Sequence, residues 1–308
     1  MMRPHGTRRY HRDEMDTINI DEYDDLMDWG DAADIARPRQ KAAPKKRDDA
    51  RRWGSDPRRG QLDAEELEGI DIFSPFRGQA LISGEGEMLK PGKEATVYRF
   101  APGPASAQLG LAWVAIKVYK DIQKRSFNSL KPYLEGRLAE SGMSRRNVLH
   151  TLSSAEGMQG FWVASEFKTL SRLFAAGVPV PKPLTCADNA VAMEFLGGEF
   201  ACPRLSETRL PAAEAPTFRR ALLDAVEKML TLDVIHGDLS PYNVLVRDNR
   251  PVIIDFPQAI DPRSHSEASR ILERDLANVL CHFEREYGIP AAEPRRYAQG
   301  LLRRHNRG

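Results

Sequence analysis

The stretch VIHGDLSPYNVLVRDNRPVIIDF, Val234 to Phe256, decides the fold. Two apolar trios within it, Val244-Leu245-Val246 and Val252-Ile253-Ile254, each read as a short buried strand. Between them, Asp248-Asn249-Arg250-Pro251 carries turn-forming residue types and predicts a hairpin. The hairpin sets Asn243 at the start of one strand and Asp255 at the end of its antiparallel neighbour. Those are the same end, so an amide and a carboxylate are expected to converge there. Two converging oxygen ligands suit a hard cation such as Mg2+, which keeps several waters and completes its shell with phosphate oxygens. Asp238, placed shortly before Asn243, is then free to accept a proton from an attacking hydroxyl. A lone Asp or Asn is more often a turn cap, but the whole string with its spacing favours a site.

Working back toward the N-terminus, Phe218, Ala221, Leu222, Ala225, Val226, Met229 and Leu230 recur at helical spacing and predict an amphipathic helix leading into this stretch. AVAMEFLGG, Ala190 to Gly198, reads as a buried strand running into a Gly-Gly hinge. An adenine could bond to backbone groups near Glu194 and Leu196, with Met193 behind it. Before that, Trp162, Val163, Phe167, Leu170, Leu173 and Phe174 mark a helix ended by Gly177 and Pro179. Residues 121–157 form a long polar connection with serines at 126 and 129. WVAIKVYK, Trp113 to Lys120, is an apolar strand with Lys117 in its middle, paired with the strand at Ala95, Val97, Tyr98 and Phe100 across a loop at Ala101-Pro102-Gly103-Pro104. A lysine amid apolar neighbours is costly to bury unless an anion meets it. The alternative is a solvent-facing lysine on an edge strand. Glu166, at the core-facing edge of its helix, is the candidate partner for Lys117, or else an ordinary flanking glutamate. Beyond Asp255, Ala268, Ile271, Leu272, Asp275, Leu276, Val279, Leu280 and Phe283 mark another helix, and a last one runs near Pro294 to Arg304.

Composition bounds the remainder. The chain has 308 residues, a formal charge of +1 and three widely spaced cysteines, Cys186, Cys202 and Cys281. That argues against a disulfide framework or a zinc site and for a reducing, cytoplasmic setting. No apolar run reaches the ~18 residues of a membrane span, and no signal-peptide core is evident. Order is expected to begin near Leu81. Residues 1–75 read as a disordered tail, wholly acidic in charge from Asp13 to Asp34 and mostly basic from Arg37 to Arg59. The basic half could meet RNA, an acidic partner or the acidic half of the same tail.

Taken together, GKEATVY (Gly92 to Tyr98), AIKVYK (Ala115 to Lys120), EFKTL (Glu166 to Leu170) and HGDLSPYN (His236 to Asn243) resemble the RIO family of atypical serine/threonine protein kinases, in particular its bacterial members. The resemblance implies an α+β, reduced two-lobed protein-kinase-like fold, with an N-lobe and hinge at 76–198 and a C-lobe at 199–308. It implies Lys117 on the α- and β-phosphates of ATP and paired with Glu166. It implies Asp238 orienting or deprotonating the acceptor hydroxyl, and Asn243 and Asp255 holding Mg2+. Lys93 and the backbone around Gly92 would cover the triphosphate. Lys90, Val97, Ala115, Met193, Glu194, Leu196 and Leu245 would complete the nucleotide cleft.

Against the glycine-rich loop of ordinary kinases, aligned on Val97, only Gly92 of the three glycines is present; Lys90 and Ala95 fill the other places. Gly237 stands where many kinases carry an arginine that receives an activation-loop phosphate, and Pro257 follows Phe256 where a glycine would permit a backbone flip. No A-P-E follows Asp255, so the helices that cradle a peptide are expected to be missing. The implied activity is Mg2+- and ATP-dependent phosphoryl transfer to serine or threonine in cis or trans, Ser126 and Ser129 being candidate acceptors. Two rivals stay open. One is a small-molecule kinase of the aminoglycoside-phosphotransferase or choline-kinase type, which shares HGDL-x-x-x-N-V-L-V and I-I-D-F. The other is an ATPase switch on a ribosomal or RNA particle.

Overall fold

The computed structural model describes residues 71–92, 95–120, 155–187, 189–291 and 293–305, with backbone alone at position 90 and at 155–158. The expected tail, Lys93, and the candidate acceptors Ser126 and Ser129 lie outside the described residues. Ile72–Gly308 forms one compact unit.

Regular structure begins earlier than Leu81. Helix α1 (Ser74–Gly78), with Pro75 in its first turn, buries Phe76 completely. One aromatic in five residues has no period for a sequence to display, which is why the element was not legible. Strands β1 (Ile82–Pro91), β2 (Ala95–Pro102), β3 (Val114–Tyr119), β4 (Pro183–Ala187) and β5 (Ala190–Glu194) form an antiparallel sheet in the order β1-β2-β3-β5-β4. The loop expected from Ala101 is shorter than it reads. Ala101 and Pro102 finish β2, and Pro104 opens helix α2 (Pro104–Gln108), where its missing N–H costs nothing.

Strand periodicity then sorts the side chains of β3. Val114, Ile116 and Val118 face one side and join Phe76, Phe100, Ala190 and Ala192 in a core. Ala115, Lys117 and Tyr119 face the other. There Tyr119 packs with Val191 of β5 and Val163 of helix α3 (Ala155–Ala175). Because β3 is the central strand, Lys117 is not on an edge: its ammonium is directed into the space between the sheet and α3. On α3, Trp162, Val163, Leu170 and Leu173 are buried, whereas Phe174 is 39 % exposed. Leu173 takes the inward position, and the next residue is turned roughly 100° away from it.

The remaining elements are α4 (Ala215–Thr231), a 3-10 turn at Pro241–Asn243, β6 (Val244–Arg247), β7 (Arg250–Ile253), α5 (Ala268–Tyr287) and α6 (Pro294–His305). Phe218, Leu222 and Met229 of α4, Leu276 and Phe283 of α5, Leu301 of α6 and Val244 and Ile253 of the hairpin share one core with Leu170 and Leu173 of α3. Each fully buried large side chain stabilises by ~1.5–3 kcal/mol. The hairpin turn is two residues rather than four. Asp248 and Asn249 have φ of 48° and 55°, a type I′ geometry that short polar side chains tolerate, so Arg250 and Pro251 are free to pair in β7. Ile254 falls beyond the ladder. The three cysteines are free thiols, and no helix among the described residues is long and apolar enough to cross a membrane.

Candidate active site

The hairpin register sets the first half of the site. Val244 pairs with Ile253, and the Ile254 N–H donates to the Asn243 carbonyl at 3.0 Å, so Asn243 and Asp255 stand at one end of the hairpin as the sequence requires. Asp255 adopts φ of 73°, which turns its side chain out of the strand direction. Lys117 Nζ donates to Asp255 Oδ1 at 2.5 Å and to Glu166 Oε1 at 2.9 Å, and lies 4.8 Å from the centre of the Tyr119 ring. Three distant segments of chain thus meet on one ammonium.

Electrostatics follow from burial. Desolvation alone would make Lys117 easier to deprotonate, but the Glu166 and Asp255 carboxylates outweigh it and hold its pKa above the ordinary lysine value. For Glu166, which is 3 % exposed, burial dominates and pushes the carboxyl up, with Lys117 only partly offsetting it. The Phe256 N–H also reaches Glu166 Oε1, at 3.3 Å, while Oε2 is buried with no hydrogen-bond partner among the described residues. Burial raises Asp255 too, yet the Lys117 charge and hydrogen bond bring it below the ordinary carboxylate value. Its side chain keeps 42 % exposure, so the carboxylate remains open to solvent.

Asn243 and Asp238 form the second half. Asn243 Nδ2 donates to the Asp238 carbonyl at 2.9 Å and to Asp238 Oδ2 at 3.1 Å. Those two acceptors fix the amide orientation and leave Asn243 Oδ1 as an acceptor for another group. An amide oxygen and an ionised carboxylate at one strand end are a donor set that fits a hard cation with phosphate and water in its remaining positions. Among the described residues no group of three or more His, Cys, Asp or Glu side chains could hold a metal ion by itself. Asp238 is exposed and its N–H donates to His236 Nδ1 at 3.2 Å. His236 Nε2 lies 3.0 Å from the Ile254 carbonyl, which makes that nitrogen the protonated one and the ring neutral. Burial pushes the His236 pKa down to about 4.

Gly237 has a tighter requirement than a missing arginine. Its φ is +82°, and a Cβ there would lie 2.0 Å from the Gln258 carbonyl oxygen. No side chain fits.

Helix α5 supplies a support that the sequence reading missed. Asp275 Oδ2 accepts the Gly237 N–H at 2.8 Å. Arg274 Nη2 donates to the Gly237 carbonyl, and Asn278 Nδ2 to the Leu239 carbonyl at 3.0 Å. The loop bearing Asp238 is therefore bound on both sides of that residue by one helix. Burial raises Asp275 to about 7; among the described residues its Oδ1 has no hydrogen bond and lies 3.5 Å from Arg274. The signal was an acid on an apolar stripe between Leu272 and Leu276, read only as a helix marker.

Of the expected cleft residues, Val97 sits opposite Lys117, and Ala115 opposite Met193, on the sheet face that carries Lys117. Gly92 turns between β1 and β2, its N–H on the Ala95 carbonyl at 2.9 Å, and a Cβ there would lie 2.6 Å from that oxygen. Leu245 is half-buried, on the hairpin side opposite Val244 and Val246. At Glu194 the N–H donates to the Lys182 carbonyl at 2.8 Å, and the carboxylate holds Arg247 at 2.7 Å. The Leu196 carbonyl accepts the Cys202 N–H at 2.8 Å.

Comparison with known proteins bears on the family and the fold. Residues 97–296 match the family model of the RIO domain. The chain is 32% identical over 208 residues to the RIO-type serine/threonine-protein kinase Rio1 of Haloferax volcanii, an alignment covering 67% of this chain and 65% of that protein. It is 32% identical over 209 residues to the serine/threonine-protein kinase RIO1 of Chaetomium thermophilum, covering 64% and 38%. The chain thus spans less than two thirds of the length of these curated relatives. Among solved structures, the Rio2 kinase–ADP/Mg2+–phosphoaspartate complex from Chaetomium thermophilum superposes with a TM-score of 0.54 at 18% identity, over 75% of this chain and 65% of that one. The likeness establishes a kinase-like α+β fold, and the match over most of the described unit establishes the lineage: this chain belongs to the RIO-domain family.

Proposed function

We propose that the protein binds ATP with Mg2+ and transfers the γ-phosphoryl group to a serine or threonine hydroxyl. The observation that carries the proposal is Lys117, held between Glu166 and Asp255, beside the Asp238–Asn243 pair. An ammonium has three N–H donors. Two are engaged by the carboxylates, and the third is left for the α- and β-phosphate oxygens. Asp238 accepts the proton of the attacking hydroxyl as its oxygen bonds to phosphorus and the bond to ADP breaks. Asn243 Oδ1 and the Asp255 carboxylate would hold Mg2+, which neutralises phosphate charge when bound. The backbone around Gly92, with Lys93 and Lys90, covers the triphosphate; Val97, Ala115, Met193 and Leu245 enclose the base, whose edge meets backbone at Glu194 and Leu196. The unit would work as two lobes, 76–198 and 199–308, with this cleft between them.

The RIO-domain match does not favour a small-molecule kinase. The deciding experiment is incubation with γ-labelled ATP and Mg2+, alone and with lysate, followed by mapping of the phosphate by mass spectrometry. Wild type should label itself or a protein serine or threonine, with Ser126 and Ser129 the first positions to inspect. Asp238→Ala should lose label by ~100-fold or more. Equal labelling of both proteins, or label found only on added amino sugars or amino alcohols, overturns the proposal.

A further inference from the structure

One charged side chain outside the Lys117 cluster is bound more heavily than a surface strand residue requires. Arg99, on β2, faces the same side of the sheet as Val97 and is paired across the ladder with Ala115. Its side chain is only 11 % exposed. Nε and Nη2 donate to Glu87 Oε2 of β1, at 3.1 and 2.5 Å. Nη1 donates to the Gly198 carbonyl at 2.9 Å and to the Glu199 carbonyl. The guanidinium carbon lies 4.5 Å from the centre of the Trp113 ring and 5.5 Å from that of Phe195. The planar cation is thereby held by two rings and by acceptors on two segments.

We propose that Arg99 is a positioning residue for the nucleotide: it ties the strap at 195–199 to the sheet and so fixes the backbone edge that receives the base. The proposal rests on the nucleotide reading above. Phe195 and Leu196 are buried and seat the start of the strap, but few backbone bonds hold it among the described residues. Beyond Glu194 the β3–β5 ladder ends, and the bonds nearby are Phe195 N–H to the Trp113 carbonyl at 3.3 Å, Gly198 N–H to the Phe200 carbonyl at 3.1 Å and Cys202 N–H to the Leu196 carbonyl at 2.8 Å. Two of these three lie within the strap and its return, so they shape it without anchoring it to the sheet. Phe195 ties only the start of the strap to the sheet, and Arg99 supplies the anchor at its far end, on the Gly198 and Glu199 carbonyls. A fork of fixed donors can serve Glu87 and two carbonyls together while stacking on rings, which a lysine's single ammonium cannot do. Ordering the strap before the ligand arrives removes an entropic cost from binding, and that gain appears in affinity rather than in the chemical step.

The test uses the full chain and three readouts: the dissociation constant for ADP with Mg2+ by calorimetry, KM for ATP against kcat, and amide hydrogen exchange at Phe195, Gly198 and Cys202 without nucleotide. Arg99→Met should raise the dissociation constant and KM by roughly tenfold, with kcat within about twofold of wild type and faster exchange at the three amides. Arg99→Lys should fall between, near threefold by the same reasoning. Should Arg99→Met not fold, Glu87→Gln weakens the orientation of the guanidinium alone and should raise KM by about twofold. A lowered melting temperature with unchanged KM, dissociation constant and exchange means that Arg99 only stabilises the fold, and the inference is wrong. Exchange that rises while nucleotide affinity stays put overturns it as well. If wild type itself binds no ADP, the nucleotide reading fails first; if wild type and Arg99→Met bind equally, only the brace fails.

Discussion

Lys117 and Glu166 show how one pair can be both a cost and a requirement. Taking an ammonium and a carboxylate out of water is expensive, and the pair repays this only while both partners are present. Lys117→Met leaves Glu166 buried beside the polar end of the cleft, where it can relieve itself by taking up a proton. Burial already raises this carboxyl, and removing the cation raises it further. A raised folded pKa gives stability that is present at low pH and lost as pH rises, so the variant should lose more at pH 8 than at pH 5. The loss at pH 8 should be about 3 kcal/mol, measured by urea unfolding at the two values, alongside a fall in phosphoryl transfer of ~100-fold or more. A deficit that is equal at both pH values would mean Glu166 is not held ionised by Lys117. Lys117 stands out in the sequence because an isolated cation in an apolar strand is anomalous. Glu166 was visible as a candidate only, since a helix edge does not say what it faces.

At the scale of the element, α5 makes the conformation of the loop bearing Asp238 a property of a helix. Arg274, Asp275 and Asn278 lie on neighbouring turns and reach Gly237 and Leu239 on either side of Asp238. Asp275 and His236 also give this element a pH signature. Asp275 rises from 3.8 to about 7, so between those values the folded state holds a proton the unfolded chain lacks, and stability falls as pH rises. His236 falls from 6.5 to about 4, so in that window the unfolded chain binds the extra proton, and stability rises with pH. The two slopes, each at most ~1.4 kcal/mol per pH unit, oppose one another over their shared range. Asp275→Asn keeps an oxygen for the Gly237 N–H and removes one slope. Relative to wild type, its stability should improve by ~1–3 kcal/mol between pH 4.5 and 6.5, read from urea midpoints. A constant difference between the two proteins would mean the carboxyl does not titrate in that range. The apolar period of α5 was fully legible; the acid within it was legible as an exception but not as a clamp.

For the molecule as a whole, the proposed cleft draws on the sheet for Lys117, on α3 for Glu166 and on the hairpin for Asn243 and Asp255. A ligand that engages all of them should stabilise the fold by mass action. ADP with Mg2+ at a hundredfold excess over its dissociation constant should add ~2.7 kcal/mol and raise the melting temperature by roughly 5–10 °C. EDTA, or Asp255→Asn, should remove the part that depends on the cation; an unchanged shift would place Mg2+ elsewhere. The residues' own order determined a good deal here. Strand and helix periods, the hairpin, and the sharing of one strand end by Asn243 and Asp255 all follow from neighbours close in sequence, where burial and turn chemistry act locally. Tertiary structure alone decided which carboxylates meet Lys117, 49 and 138 residues away along the chain. It also decided that β3 is central, that Gln258 crowds Gly237, and that Arg99 reaches the strap. Those outcomes depend on how sheet, helices and hairpin stack, and a local pattern records that a side chain is buried without recording what buries it.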